Sequence, residues 1–150
     1  MITNGQNWIS RFSTRLSIPM MKSRGYLLDT HVLVWLGHNQ KRIGRNSKRI
    51  LERANLYYSS VSVAELALKS RLGKKEFNSS VIEGWKQEQI FPASFDDAAA
   101  LNFAAISSEW LPDPFDRQVV ATAMSNQFEL ITADRRILEL GYDWIVDATA

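Results

Sequence analysis

The chain has no cysteine and only two histidines, His31 and His38, among 150 residues. Without thiols there are no disulfides, no zinc–thiolate sites and no cysteine nucleophile. Two histidines do not support a histidine-rich metal site or multi-histidine catalysis. No apolar run approaches the ~18 residues that a membrane span needs. There is no Gly-rich phosphate loop of the Gly-x-x-x-x-Gly-Lys-Ser/Thr kind, no internal repeat and no low-complexity segment. Any chemistry must lean on carboxylates, hydroxyls, lysine and arginine. What is present suits a single globular domain: 45% hydrophobic and 23% charged residues, in a chain long enough to bury a core.

Positive charge is unevenly spread. Residues 1–24 carry Arg11, Arg15, Lys22 and Arg24 and no acid. Taking these four from the 18 basic residues leaves 14 against 16 acids, so the remainder is net negative although the whole chain is +2. A pI near 9.0 therefore says little about nucleic-acid binding by the domain. Residues 1–24 show no sustained helical or strand period and lack the apolar h-region of a secretory signal. Their composition is that of a transit peptide; the simpler expectation is that translation begins at Met20 or Met21, ahead of the first strand. They form an N-terminal extension, and residues 25–150 the folded domain.

From Gly25 the pattern changes. Tyr26-Leu27-Leu28 reads as a buried strand, followed by helices over 31–37 and 46–54, the second with a basic face. Residues 56–60 read as strand two, 61–72 as a helix ended near Gly73, and 81–88 as another. A third strand spans 90–95, interrupted by Pro92. Asp96 and Asp97 open an Ala-rich helix to about 107, with acids where the helix dipole favours them. Asp113-Pro114 starts a helix to about 126. Strand four is 130–132, a helix over 135–140 stops at Gly141, and strand five is 144–146. Alternating strands and helices with long crossovers predict an α/β domain whose mainly parallel sheet is covered on both faces.

In open α/β sheets, sites form beyond the carboxyl ends of the strands. Asp29 follows strand one. Glu65 lies in the helix after strand two. Asp116 lies in the first turn of the helix leading to strand four, and Asp134 just beyond that strand. Four acids thus project toward one edge. Crowded carboxylates repel one another, and a divalent cation relieves the cost of ionising them. Oxygen-only ligands suit hard cations such as Mg²⁺, and phosphodiester cleavage is the chemistry such a site supports. Each acid also has a plainer reading. Asp29, Asp113 and Asp134 are good N-caps, with Pro114 at the first helical position and Asp116 merely favourable in the first turn. Glu65 could be an exposed helix residue, although its neighbours Ala64, Leu66, Ala67 and Leu68 are apolar or small. For Asp113 a cap competes with direct metal binding and is the favoured of the two readings.

Four stretches in order, Tyr26-Leu27-Leu28-Asp29-Thr30-His31, Ser62-Val63-Ala64-Glu65, Asp113-Pro114-Phe115-Asp116-Arg117 and Thr132-Ala133-Asp134-Arg135, make residues 25–147 resemble the PIN-domain family. The similarity is to the VapC-type toxins of type II toxin–antitoxin systems. The resemblance implies a PIN-like three-layer fold with a five-stranded sheet, and a divalent metal, Mg²⁺ or Mn²⁺, at the acids. It implies endoribonuclease activity in which metal-activated water attacks the phosphodiester. By position, Asp29 and Asp116 become direct metal ligands, with Glu65 and Asp134 binding a second metal or orienting water. Thr30 and Thr132 would support them through hydrogen bonds. Relatives with this Asp-Pro-Phe-Asp-Arg stretch commonly have a histidine shortly before it, where this chain has Glu109-Trp110-Leu111-Pro112.

The resemblance further implies a cognate VapB-like antitoxin, a homodimer, an RNA substrate and a cytoplasmic location, with no membrane association. The segment 32–36 is apolar enough to meet a partner or to pack in the core. Lys41, Arg42, Arg45, Lys48, Arg49 and Arg53 form one candidate RNA-contacting run, Lys69, Arg71, Lys74 and Lys75 a second, and either could be a solvated helix face. The four tryptophans of the domain are expected to fill core. From another functional class, the alternative is a non-catalytic PIN-like module that binds RNA or protein without cutting.

Overall fold

A computed structural model of the chain describes residues 25–150; the expectations for residues 1–24 lie outside the described residues. Five strands form one sheet: β1 (Tyr26–Leu28), β2 (Leu56–Ser59), β3 (Ile90–Ala93), β4 (Glu129–Thr132) and β5 (Ile145–Asp147), in the order β3-β2-β1-β4-β5. Every neighbouring pair is parallel, with Leu27 opposite both Tyr57 and Leu130. The helices are α1 (Thr30–His38), α2 (Arg45–Arg53), α3 (Ser60–Arg71), α4 (Ser79–Gln87), α5 (Asp97–Ala105), α6 (Pro114–Asn126) and α7 (Arg135–Leu138), with a 3-10 turn over Gln40–Arg42.

The central strands are short and apolar because both of their faces are covered. Successive side chains on a strand point to opposite faces, so Leu27 and Leu130 enter one core while Leu28 and Ile131 enter the other. The first core is filled by α6, where Val119 to Met124 are all buried, together with Leu111, Ile137 and Trp144. The second takes Val32, Leu33 and Trp35 of α1 and Trp85 of α4. The layering is helix–sheet–helix, as expected from the sequence. Val32, Leu33 and Trp35 therefore belong to the core rather than to a partner surface.

Three details depart from the sequence reading. β3 ends at Ala93, two residues early, because the Phe95 amide donates to Ser60 Oγ (3.2 Å) instead of continuing the ladder. Pro92 is tolerated because β3 is an edge strand. α7 is four residues long, because Leu140 and Gly141 donate to carbonyls three residues back and tighten the turn. Trp110 is not core: it is 67% exposed, unlike Trp35, Trp85 and Trp144.

The far end of the chain returns to the start of α2. Amides of Gly44 and Asn46 donate to the carbonyls of Ala148 (2.8 Å) and Ala150 (3.1 Å), satisfying donors that a helix start leaves free. Backbone of Thr149 and Ala150 fills the space a side chain at position 44 would need, which is why glycine stands there.

Candidate active site

The chain runs β1, β2, β3 toward one edge, then returns so that β4 lies on the other side of β1. That reversal opens a crevice beyond the carboxyl ends of β1 and β4, where α/β sheets bind ligands. Asp29 and Asp134 border it directly. Glu65 reaches it from α3, and Asp116 from the first turn of α6.

Asp29 is 3% exposed and caps α1. Its Oδ1 accepts the Thr30 amide (2.8 Å) and its Oδ2 accepts Thr132 Oγ1 (2.7 Å), which ties the end of β1 to the end of β4. Burial pushes the Asp29 carboxyl above its ordinary range. Hydrogen bonds from Thr132 and Thr30 and the nearby His31 oppose that push, and Glu65 adds to it. Glu65 is held at both oxygens: Oε2 accepts Thr30 Oγ1 (2.8 Å) and Oε1 accepts Lys69 Nζ (2.6 Å). Thr30 Oγ1 also lies 2.9 Å from Ser62 Oγ. Asp134 accepts the Ile137 amide (3.1 Å), and its own amide donates to Thr132 Oγ1 (3.0 Å). Thr30 and Thr132 therefore support the acids, in the way the resemblance implied.

Asp116 differs from the others. Among the described residues no hydrogen bond reaches its carboxylate. Its carboxyl is pushed up to about 7, first by burial, then by the negative charges of Asp113, Asp29, Asp134 and Glu65. All the expected acids therefore act electrostatically on one point. Asp113 is the N-cap of α6, its Oδ1 accepting the Phe115 amide (2.8 Å), and it adds its charge to the same place. Next to Asp116, the Arg117 guanidinium stacks 4.9 Å over the Phe103 ring, and its buried Nε has no hydrogen-bond partner among the described residues.

Among the described residues, no three Asp, Glu, His or Cys side chains form a ready-made cation cage. The hydrogen bonds explain this: Asp29 and Glu65 are pinned by Thr132, Thr30 and Lys69, and like charges keep apart. The donor set nonetheless fits a hard divalent ion, since all four groups are oxygen acids and Mg²⁺ needs only a few carboxylates plus water. Asp116, with no hydrogen bond to its carboxylate and a raised proton affinity, is an acid whose ionisation a nearby cation would favour.

The roles of Ser62 and Lys69 beside Glu65 escape the sequence reading. Both were within reach of helix periodicity, three residues before and four after Glu65, hence on its face of α3. The same geometry removes Lys69 from the second basic patch, because it is committed to Glu65.

Similarity to known proteins agrees with this geometry. Ribonuclease VapC22 of Mycobacterium tuberculosis is 28% identical over 114 residues, covering 74% of this chain and 88% of its own. A chain in the crystal structure of VapBC2 from Rickettsia felis, bound to a DNA fragment from their promoter, superposes with a TM-score of 0.57. That match has 14% identity and covers 81% of this chain and 95% of the other. The family model described as PIN domain matches residues 26–141, which runs from the first residue of β1 past Asp29, Glu65, Asp116 and Asp134. With the family's span and its acid-bearing strand ends both accounted for, this chain belongs to the PIN-domain family.

Proposed function

We propose that this protein is a metal-dependent endoribonuclease, the toxin of a VapBC-type toxin–antitoxin pair, hydrolysing RNA phosphodiesters at the Asp29–Glu65–Asp116–Asp134 cluster. One observation carries the reading: acids from distant parts of the chain act together on Asp116, at the sheet's switch point. The relative named a ribonuclease supports the activity. The VapBC2 assembly on promoter DNA supports a small DNA-binding VapB-like partner. A homodimer and a cytoplasmic location complete the proposal; no helix among the described residues is long and apolar enough to cross a membrane.

In this reading Asp29 and Asp116 hold Mg²⁺ or Mn²⁺, and Glu65 and Asp134 hold a second ion or orient water. A bound divalent ion supplies neutralisation of phosphate charge and makes a nearby water more acidic. The chain's own residues do the positioning. Thr132 fixes one Asp29 oxygen and the Asp134 backbone from a single hydroxyl. Thr30 fixes Glu65, and Lys69 keeps the second Glu65 oxygen from swinging away. Asp116, held by no such bond, is free to follow an ion or accept a proton.

The test is cleavage of RNA by purified protein with Mn²⁺, against the same protein with chelator and against Asp29→Asn. Loss of cleavage in both controls is expected. RNA binding without cutting under every condition would instead mean a non-catalytic binding module.

A further inference from the structure

Beside the acid cluster lies a cavity of about 540 Å³ lined by His31, Trp35, Arg42, Asp134, Arg135 and Arg136 among others. Asp134 belongs to both, so the cavity adjoins the cluster. We propose that this cavity is a nucleotide subsite, in which Arg42, Arg135 and Arg136 grip the RNA backbone next to the phosphodiester that is cut. The proposal rests on the ribonuclease reading and adds where the substrate strand lies.

The argument begins with charge. A polyanion approaching four clustered carboxylates is repelled, so the substrate needs cations beside them. Arg42, Arg135 and Arg136 are exposed, and none is in an ion pair among the described residues, where the pairs are Lys69–Glu65 and Lys86–Glu83. Guanidinium forks match phosphate oxygens two at a time. Arg42 is already ordered, its guanidinium stacked 4.2 Å over the Trp35 ring, so binding costs it less side-chain freedom. Trp35 itself is 8% exposed and acts as the platform for Arg42 rather than as a surface for a base.

Size and place agree. Ligand-binding clefts run from about 300 to 1,000 Å³, and this one takes a single nucleotide with water. The other basic residues lack this combination. Arg45, Lys48, Arg49 and Arg53 sit on an exposed helix face and line none of the cavities described, and Lys69 is neutralised by Glu65. Two further cavities share His38, Val81 and Trp85, and neither is lined by an acid of the cluster.

The experiment measures binding of a labelled single-stranded RNA to the full chain in chelator, where no cutting occurs, across a range of salt. Arg135→Gln with Arg136→Gln should weaken binding at least tenfold. It should also flatten the dependence of log affinity on log salt by ~0.7 for each phosphate that is no longer neutralised. Arg42→Gln should give a smaller loss of the same kind, and Arg45→Gln with Arg49→Gln a change below twofold. With Mn²⁺, the cavity variants should raise KM for RNA cleavage while kcat stays near wild type. Unchanged affinity and salt slope in the Arg135/Arg136 variant overturn the subsite, even if the wild type cuts RNA. Binding that depends on these arginines in a protein that never cuts supports the subsite and overturns the nuclease reading. No RNA binding at any salt overturns both.

Discussion

Asp29 and Asp116 are the same residue at the same rim, and the fold treats them in opposite ways. Asp29 is buried, with one oxygen on the Thr30 amide and the other on the Thr132 hydroxyl. Asp116 has no such bond; burial first, and then four like charges, push its carboxyl up to about 7. The first carboxylate is part of the framework and helps hold β1 to β4. The second is a group the framework tolerates at a cost, which a cation bound beside it would lower. The crevice thus combines a rigid acid with an adaptable one.

The sharpest way to break this contrast is to delete each acid in turn. Asp29→Ala and Asp116→Ala should both lose RNA cleavage, by a hundredfold or more if removal of an electrostatic partner costs ~3 kcal/mol at the transition state. Their stabilities should diverge. Asp29→Ala removes an N-cap and strands the Thr132 hydroxyl, for a loss of about 2 kcal/mol or more. Asp116→Ala removes repulsion and should leave metal-free stability at pH 8 unchanged or raised. Denaturant unfolding of both proteins decides it; equal destabilisation would erase the distinction.

A smaller effect should appear in pH. The folded Asp116 carboxyl is raised from 3.8 to about 7, so between those values the folded chain holds a proton that the unfolded chain has released. Stability is then greatest at low pH within that window and falls as pH rises toward 7. Metal-free Tm should therefore decline from pH 5 to 8, and Asp116→Asn should flatten the decline. A remainder of the same sign is expected from Asp29, whose carboxyl is also raised. Mn²⁺ at a hundred times its Kd should restore about 2.7 kcal/mol at pH 8, and chelator should remove it.

The smallest effect belongs to Lys69. Its ion pair with Glu65 is partly exposed, so Lys69→Gln should change stability by no more than about 1 kcal/mol. Removing a positive charge from the edge of the acid cluster should tighten Mn²⁺ binding a few-fold in a direct titration. Weaker binding would mean that holding Glu65 in place matters more than the charge.

Most of the fold was legible because short apolar runs alternate with helical stretches, and the runs at Leu27-Leu28 and Leu130-Ile131 feed two separate cores. What was not legible depends on distant partners. The end of β3 is set by Ser60, and the exposure of Trp110 by where its loop happens to lie. The candidate acids were visible because strand ends are marked by Asp29 and Asp134 and the start of α6 by Asp113-Pro114. Capping and site membership are rival explanations of an acid in the bare sequence, yet they need not exclude each other: Asp29 caps α1 through Oδ1 while Oδ2 takes the Thr132 hydroxyl at the crevice. Asp134 and Asp113 likewise cap helices while adding their charges to the site. The Arg42–Trp35 stack could not be read from spacing, because it joins a 3-10 turn to a helix packed behind it.

The bond from Thr132 to Asp29 spans 103 residues of chain. A nascent polypeptide therefore carries its first acid long before it has the hydroxyl that orients it, or the neighbouring strand that shields it. Until β4 has been synthesised and has paired with β1, the Asp29 carboxylate has neither its final orientation nor its final burial.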